Sequence, residues 1–173
     1  MSYTKVTTVL AVAAAALLTT FALVGCGNGS STAQAAPKTA SGQPATVGVA
    51  NTGLGNVLVN SAGMTLYLFE KDTGTQSTCT GACAQNWPPL KVTGKPTAGT
   101  GATASLLGTS PRSDGGQQVT YNGHPLYLFI NDKQPGDTNG QGINAFGGTW
   151  TAVSSAGTAV SGSNSGGGGG LGY

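Results

Sequence analysis

The sequence predicts a mainly β fold: a small antiparallel sheet domain, sandwich- or barrel-like, made of two duplicated hairpin units with one short helical turn. Glycine supplies 30 of the 173 residues, and only 7% of the residues are charged. Each glycine inside a helix costs about 1 kcal/mol relative to alanine, so this composition excludes helical bundles and coiled coils. The formal net charge is +2, with basic residues scattered singly. We expect no nucleic-acid partner, because nucleic-acid binders cluster Lys and Arg on one face.

The N-terminal segment predicts export and lipid anchoring. A positive start that includes Lys5 precedes a mostly apolar run over residues 9–24, and Gly25 and Cys26 follow it to complete the sequence LVGC. Residues 1–25 are therefore predicted to be a lipoprotein signal peptide. The LVGC ending resembles the bacterial lipobox, in which the cysteine thiol is acylated before cleavage. We expect Cys26 to hold the chain on the extracytoplasmic face of the cell membrane, the alternative being an uncleaved bilayer-spanning anchor.

Composition divides the rest of the chain into three parts. Residues 26–46 are predicted to be a flexible tether, because residues 27–45 carry no bulky apolar side chain that could be buried. Residues 47–155 are long enough to form one domain. Residues 156–173 end in a glycine tract and are predicted to be a disordered tail.

An internal duplication organises the predicted domain. The segments GMTLYLFEKD (63–72) and GHPLYLFIND (123–132) are identical at six of ten positions. Each has the apolar and aromatic composition of a strand and lies between turn-forming residues. Residues 118–121, followed by Asn122 and Gly123, predict a hairpin with a type I′ turn, because both turn residues tolerate positive φ. Residues 56–60 predict the matching hairpin of the first copy, with a longer loop at 61–63.

Each duplicated strand has two apolar faces. Because side chains alternate along a strand, two leucines lie on one face, and a tyrosine and a phenylalanine lie on the other. The leucines are Leu66, Leu68, Leu126 and Leu128, and the aromatic residues are Tyr67, Phe69, Tyr127 and Phe129. Burial in a core is one interpretation of the aromatic residues. The alternative is a ligand-binding groove that they line, with Trp87 as a further aromatic surface.

Two cysteines lie inside the predicted domain, at Cys79 and Cys83. Their C-x3-C spacing in an exported chain predicts a disulfide, with Gly81 allowing the turn between them. The alternative is a copper site in which both sulfurs act as soft ligands and His124 supplies a nitrogen. Apart from this alternative, we expect no metal and no cofactor.

The remaining polar residues predict structure rather than catalysis. His124 is the only histidine, and no G-x-S-x-G or cysteine-nucleophile motif accompanies it, so we expect no enzymatic activity and no catalytic residue. Asp72 and Asp132 follow the duplicated strands at the same position. We expect each aspartate to accept hydrogen bonds from nearby backbone N–H groups and so to set a turn.

Together these residues resemble the bacterial secreted-repeat lipoproteins, a family of unknown function with a Y-x-[FWY]-x-x-D motif. The motif occurs as YLFEKD (67–72) and YLFIND (127–132), and the resemblance extends over about residues 54–153. It implies a secreted or membrane-tethered domain, and it assigns no catalytic residue.

The predicted function is that of a lipid-anchored extracytoplasmic module that binds another envelope protein or component, or a small ligand. One alternative is a redox or copper-handling accessory protein that uses Cys79 and Cys83. The other is a passive structural module of the cell wall.

Overall fold

Ten short strands, one short α-helix and one 3-10 helix occur in residues 44–162, the part of the chain that the computed structural model describes. The helix is α1 (Ala82–Asn86), and the 3-10 helix is Ala104–Leu106. The strands are β1 (Thr46–Thr52), β2 (Gly55–Asn60), β3 (Tyr67–Phe69), β4 (Lys91–Val92), β5 (Thr97–Ala98), β6 (Leu107–Pro111), β7 (Gln117–Tyr121), β8 (His124–Pro125), β9 (Asn144–Ala145) and β10 (Gly148–Ala152). The predicted mainly β class is confirmed. The signal peptide, Cys26 and all but the end of the tether lie outside the described residues.

The strands form three small sheets. Their orders are β2-β1-β5, β3-β10-β9 and β4-β7-β6, and β8 pairs with β7. Every strand pair is antiparallel except β1 with β5. The antiparallel prediction therefore holds for all but one short pairing.

Both predicted hairpins are present, and local chemistry explains their turns. Asn122 and Gly123 have φ values of 49° and 82°, as a type I′ turn requires. In the longer first turn, the Asn60 side chain accepts hydrogen bonds from the backbone N–H groups of Ala62 and Met64. The Asn60 side chain thus supplies the hydrogen-bond acceptor for two backbone N–H groups of this longer turn.

The end of the second repeat inserts into the first repeat. Val153, which follows β10, accepts a hydrogen bond from Leu58 at 2.7 Å and donates one to Leu66 at 3.1 Å. The preceding strand β10 pairs with β3. The first repeat is therefore completed by a strand of the second.

The end of the first repeat inserts into the second repeat in the same way. Leu90 accepts a hydrogen bond from Val119 at 2.8 Å and donates one to Leu126 at 2.9 Å. Between the two insertions, Tyr67 and Tyr127 exchange two backbone hydrogen bonds, each of 2.9 Å. These reciprocal contacts give the domain a pseudo-two-fold arrangement in which each repeat completes the other.

Two apolar clusters lie on opposite faces of the duplicated strands. One contains the tyrosine, phenylalanine and tryptophan side chains together with both cysteines. The other contains three leucines of the duplicated strands, Leu66, Leu68 and Leu126, with Val47, Val119 and Tyr121 among their neighbours, and the partly buried Leu128 packs against it. The predicted alternation of leucines and aromatic residues between two faces is confirmed. Covering both faces explains why these strands carry no polar side.

The folded part extends beyond both boundaries predicted from composition. Thr46 already belongs to β1, within the segment predicted as tether. After Ser155 the chain turns back, and Val160 donates a backbone hydrogen bond to Ala152 at 2.9 Å. Gln141 holds the same segment through the carbonyls of Val160 and Gly162. Backbone hydrogen bonds therefore hold residues in the first part of the segment predicted as a disordered tail, and residues 163–173 lie outside the described part of the chain.

Candidate functional site

Four aromatic rings form one continuous stack in the core. Trp87, directly after α1, and Trp150, in β10, lie face to face with centroids 4.0 Å apart and planes 4° apart. Phe69 stacks on the outer face of Trp150 at 4.1 Å, and Phe129 stacks on the outer face of Trp87 at 4.2 Å. The stack therefore runs from Phe69 to Phe129 and takes one phenylalanine and one tryptophan from each repeat.

Two tyrosines contact this stack with their edges. Tyr67 meets Trp87 at 5.4 Å and 78°, and Tyr127 meets Trp150 at 5.1 Å and 87°. These edge-to-face contacts are a favourable arrangement of aromatic rings.

The five aromatic residues considered for a ligand-binding groove are all buried. Tyr67, Tyr127 and Trp87 are at most 1% exposed, and Phe69 and Phe129 are 2% and 9% exposed. The groove interpretation is therefore corrected in favour of a core. The physical reason is that the two tryptophans come from the exchanged chain ends and cover the aromatic faces of both duplicated strands.

Each motif tyrosine is hydrogen-bonded to the aspartate of the other repeat. The Tyr67 hydroxyl donates to Asp132 Oδ2 at 2.6 Å, and the Tyr127 hydroxyl donates to Asp72 Oδ2 at 2.5 Å. The second carboxylate oxygens accept backbone N–H groups, from Thr78 to Asp72 at 2.7 Å and from residue 139 to Asp132 at 2.9 Å. These backbone contacts are of the kind expected for aspartates that set turns, and each aspartate also contacts a tyrosine.

Burial changes the protonation of these groups. The pKa values of Tyr67 and Tyr127 are raised far above the usual range, first by burial and then by the neighbouring carboxylates. Burial also raises the pKa of Asp132, against the opposing effect of the Tyr67 and Asn139 hydrogen bonds. Both phenol groups therefore keep their protons well into the alkaline range.

A buried arginine adjoins the Tyr127–Asp72 pair. The Arg112 side chain is 1% exposed and forms an ion pair with Asp114 at 2.5 Å. It also donates hydrogen bonds to Ser77 Oγ at 2.9 Å, to Gln118 Oε1 at 2.6 Å and to the Cys79 carbonyl at 2.7 Å. Hydrogen bonding from Arg112 lowers the pKa of Asp114. Arg112 thus joins the cysteine turn to β7 and satisfies its own buried charge.

The two tyrosine–aspartate pairs differ in their surroundings. The Tyr127 hydroxyl lies 2.6 Å from Ser77 Oγ, which connects it to Arg112. At the other pair, the Gly140 backbone N–H donates to the Tyr67 hydroxyl at 3.2 Å. The duplicated motifs do not indicate Arg112 as a site residue, because this arginine belongs to only one of the two repeats.

Cys79 and Cys83 form a disulfide, as predicted. Their Cα atoms are 5.2 Å apart, and the residues are 0% and 7% exposed in the same cluster as Trp87. Gly81 begins the turn with a φ of 55°, as the spacing required. Neither sulfur is a thiolate in this form, so the copper alternative with His124, which lies at the start of β8, has no cysteine ligands here. Within residues 44–162 there is no group of three or more His, Cys, Asp or Glu residues that could hold a metal ion.

Two large apolar side chains are exposed in the described part of the chain, Ile130 and Phe146. Phe146 is 43% exposed and lies in the turn between β9 and β10 with a positive φ of 57°. Its carbonyl accepts a hydrogen bond from Lys71 Nζ at 3.3 Å. Positive φ is unfavourable for a bulky side chain, so the turn holds an exposed ring at a conformational cost. Sequence reasoning missed this feature, because neither composition nor spacing distinguishes Phe146 from a core phenylalanine.

Two segments of the chain match one family model, described as a secreted repeat of unknown function. The matched residues are 48–91 and 108–154, more than half of the chain. The chain belongs to this secreted-repeat family. The resemblance inferred from the two motifs is therefore confirmed, and the protein is an extracellular module. Each matched segment contains one Tyr and one Asp of the reciprocal pairs, so those hydrogen bonds connect one secreted repeat to the other.

Other comparisons add no further relative. No curated protein and no solved structure matches the secreted-repeat chain. In the described residues, none of the helices has both the length and the apolar character needed to cross a bilayer.

Proposed function

We propose that this secreted-repeat protein is a lipid-anchored, non-enzymatic module on the extracytoplasmic face of the cell membrane. In this proposal it binds another envelope component through the turn between β9 and β10. The observation that carries the docking role is the exposed ring of Phe146 at a positive φ. Asn or Gly would occupy this position with less strain, so a bulky apolar residue there indicates a use outside the fold.

The surroundings of Phe146 support a docking role. Lys71 Nζ donates a hydrogen bond to the Phe146 carbonyl, and Gly147 and Gly148 follow Phe146 in the chain. The Gly148 backbone lies against Phe69, where an added Cβ would be 2.8 Å from the ring. The turn that carries the exposed ring therefore lies directly against Phe69, one end of the aromatic stack. Rigid aromatic anchors of this kind bind in apolar recesses of a partner with little loss of conformational entropy.

Binding to isolated cell envelopes tests the docking role. The mature chain would carry Cys26→Ala, so that no acyl chain contributes to retention. We expect saturable binding by this protein and a loss of binding in Phe146→Asn, because Asn accepts the positive φ but offers no apolar ring. Lys95→Gln is the matched control at another exposed position, and it should bind normally. Unchanged binding by a folded Phe146→Asn variant would refute the docking role.

Detergent partitioning tests the lipid anchor. The full-length chain expressed in cells is expected to enter the detergent phase, because acyl chains gain about 0.8 kcal/mol per buried CH₂. Cys26→Ala should leave the chain unprocessed or move it to the aqueous phase. If the variant is still processed and retained with the detergent, the anchor is not the Cys26 thiol.

A passive structural module of the cell wall is the second candidate. The complete burial of Tyr67 and Tyr127 favours it, since no duplicated strand face is open to a ligand. This candidate predicts envelope retention through the anchor alone. Absence of saturable binding in the assay above would support it over the docking role.

A further inference from the structure

The aromatic core has a composition and geometry that stability alone does not require. Trp87 and Trp150, the only two tryptophans of the chain, lie in contact at 4.0 Å, and each meets the edge of a tyrosine. Both tyrosine hydroxyls donate to buried carboxylates. Leucine and phenylalanine would fill this volume without any buried polar group, and a buried carboxylate carries a desolvation cost.

Tryptophan and tyrosine are side chains that can lose a single electron to a strong oxidant. Tryptophan loses an electron most readily among the aromatic side chains, and stacking spreads the resulting charge over two rings. Tyrosine loses an electron readily only when its proton has an acceptor, and here each phenol is hydrogen-bonded to one. We propose that the stacked tryptophans and the two tyrosine–aspartate pairs form a radical relay, which accepts oxidising equivalents from one-electron oxidants such as oxygen-centred radicals.

The relay has two balanced steps. First, the oxidant takes one electron from the Trp87–Trp150 pair, which becomes a radical cation. Second, Tyr67 or Tyr127 returns one electron to the tryptophans while its hydroxyl proton moves to the carboxylate of Asp132 or Asp72. The products are neutral tryptophan, a neutral tyrosyl radical and a carboxylic acid. An external one-electron reductant of the ascorbate class restores the phenol as the proton returns from the carboxyl group.

The burial of the tryptophans and tyrosines is compatible with both electron-transfer steps. The two tryptophans and the two tyrosines are at most 1% exposed, so a tyrosyl radical would be kept from coupling with another molecule. The short hydrogen bonds of 2.6 and 2.5 Å leave the proton little distance to travel. Of the two ends of the stack, Phe129 is the less deeply buried, at 9% exposure against 2% for Phe69. Electrons can cross this thin cover by tunnelling, although an oxidant cannot touch the tryptophans.

Pulse radiolysis with azide radicals tests the relay, because this probe oxidises tryptophan in preference to tyrosine. The mature chain with Cys26→Ala would be followed through the absorption of tryptophanyl and tyrosyl radicals. We expect the tryptophanyl signal to decay as the tyrosyl signal grows, at a rate independent of protein concentration. Decay of the tryptophanyl signal without tyrosyl growth would overturn the proposal.

Variants identify the acceptors. The double variant Tyr67→Phe/Tyr127→Phe should lose the tyrosyl growth, and each single variant should reduce its amplitude. Tyr121→Phe is the matched control, since the Tyr121 hydroxyl is bound by the backbone of Thr103 and Ser155 and has no carboxylate partner. It should keep full transfer.

The carboxylates are tested separately. Asp132→Asn and Asp72→Asn keep the size of the side chain but remove its capacity to accept the proton, so transfer to the paired tyrosine should slow. The folded state of every variant is checked by the near-ultraviolet circular dichroism of the stacked tryptophans. Equal transfer in the folded double tyrosine variant, or in both folded asparagine variants, would mean that the pairs are structural only.

Discussion

Tyr67 donates its hydroxyl hydrogen bond to Asp132, 65 residues away, and not to Asp72, the aspartate of its own motif. Tyr127 likewise donates to Asp72, the aspartate of the other motif, and not to Asp132. The Y-x-[FWY]-x-x-D motif is therefore a contact between repeats, and one copy of it has no complete hydrogen-bonding partner within its own repeat. This relationship explains why the motif occurs twice in one domain.

A double-mutant cycle should detect the pairing between repeats. Tyr67→Phe leaves a buried oxygen of Asp132 without its donor, so we expect it to lower the free energy of unfolding by about 1–3 kcal/mol. Combined with Asp132→Asn, it should show a coupling energy of about 0.5–3 kcal/mol, as expected for residues in direct contact. Urea denaturation monitored by tryptophan fluorescence measures each variant.

The pair within one motif supplies the control for that cycle. Tyr67→Phe and Asp72→Asn share no hydrogen bond, so their effects should add to within about 0.5 kcal/mol. If instead the coupling lies between Tyr67 and Asp72, each repeat satisfies its own motif and the exchanged arrangement is incorrect.

Local patterns predicted much of this fold. The alternation around Tyr67 placed aromatic residues and leucines on opposite faces, and Asn122 with Gly123 predicted the turn that the structure contains. The aspartate turns and the disulfide also followed from local chemistry. All of these features depend on residues close together in the chain, where spacing restricts the backbone directly.

Features that depend on distant contacts were not predictable in the same way. The two motifs are nearly identical, so spacing alone could not show that Tyr67 pairs with Asp132. The buried charge of Arg112 depends on Ser77 and Cys79, more than 30 residues earlier. The positive φ of Phe146 follows from the register of β9 and β10, which composition does not reveal.

Alkaline pH should destabilise the domain through its buried tyrosines. The pKa values of Tyr67 and Tyr127 are raised above the usual 10.0, so the folded state retains protons that the unfolded state releases above about pH 10. The folded state binds more protons in this range, and stability must fall as pH rises. Urea denaturation from about pH 8 to about pH 11, a range that brackets the usual tyrosine pKa, measures the loss of stability.

The matched variant for this titration is Tyr67→Phe/Tyr127→Phe. It should be less stable at neutral pH but should lose less further stability above about pH 10. Absorbance near the tyrosinate band provides an independent check on the folded protein. If Tyr67 and Tyr127 ionise at the usual tyrosine pKa of 10.0, their pKa values are not raised and the predicted pH dependence is wrong.

Gly140 should not tolerate a side chain. A Cβ at this position would lie 2.8 Å from both Trp87 and Tyr67, closer than carbon atoms pack. We expect Gly140→Ala to destabilise the domain by about 1–3 kcal/mol, the usual cost of overpacking a core. Gly53→Ala is the control, because an added Cβ there has no neighbour within 4 Å. Equal thermal melting of the two variants would show that the loop does not approach the aromatic stack.

The disulfide should behave as a buried structural bond. Cys79 is fully buried and Cys83 is 7% exposed, so a mild thiol reductant should not reach the sulfurs in the native state. Labelling of free thiols after such treatment is expected only when urea has first unfolded the chain. Cys79→Ala/Cys83→Ala should lower the free energy of unfolding by about 2 kcal/mol, the chain-entropy value for a loop this short. Rapid labelling of the native protein would instead favour the redox alternative, in which the two cysteines cycle during function.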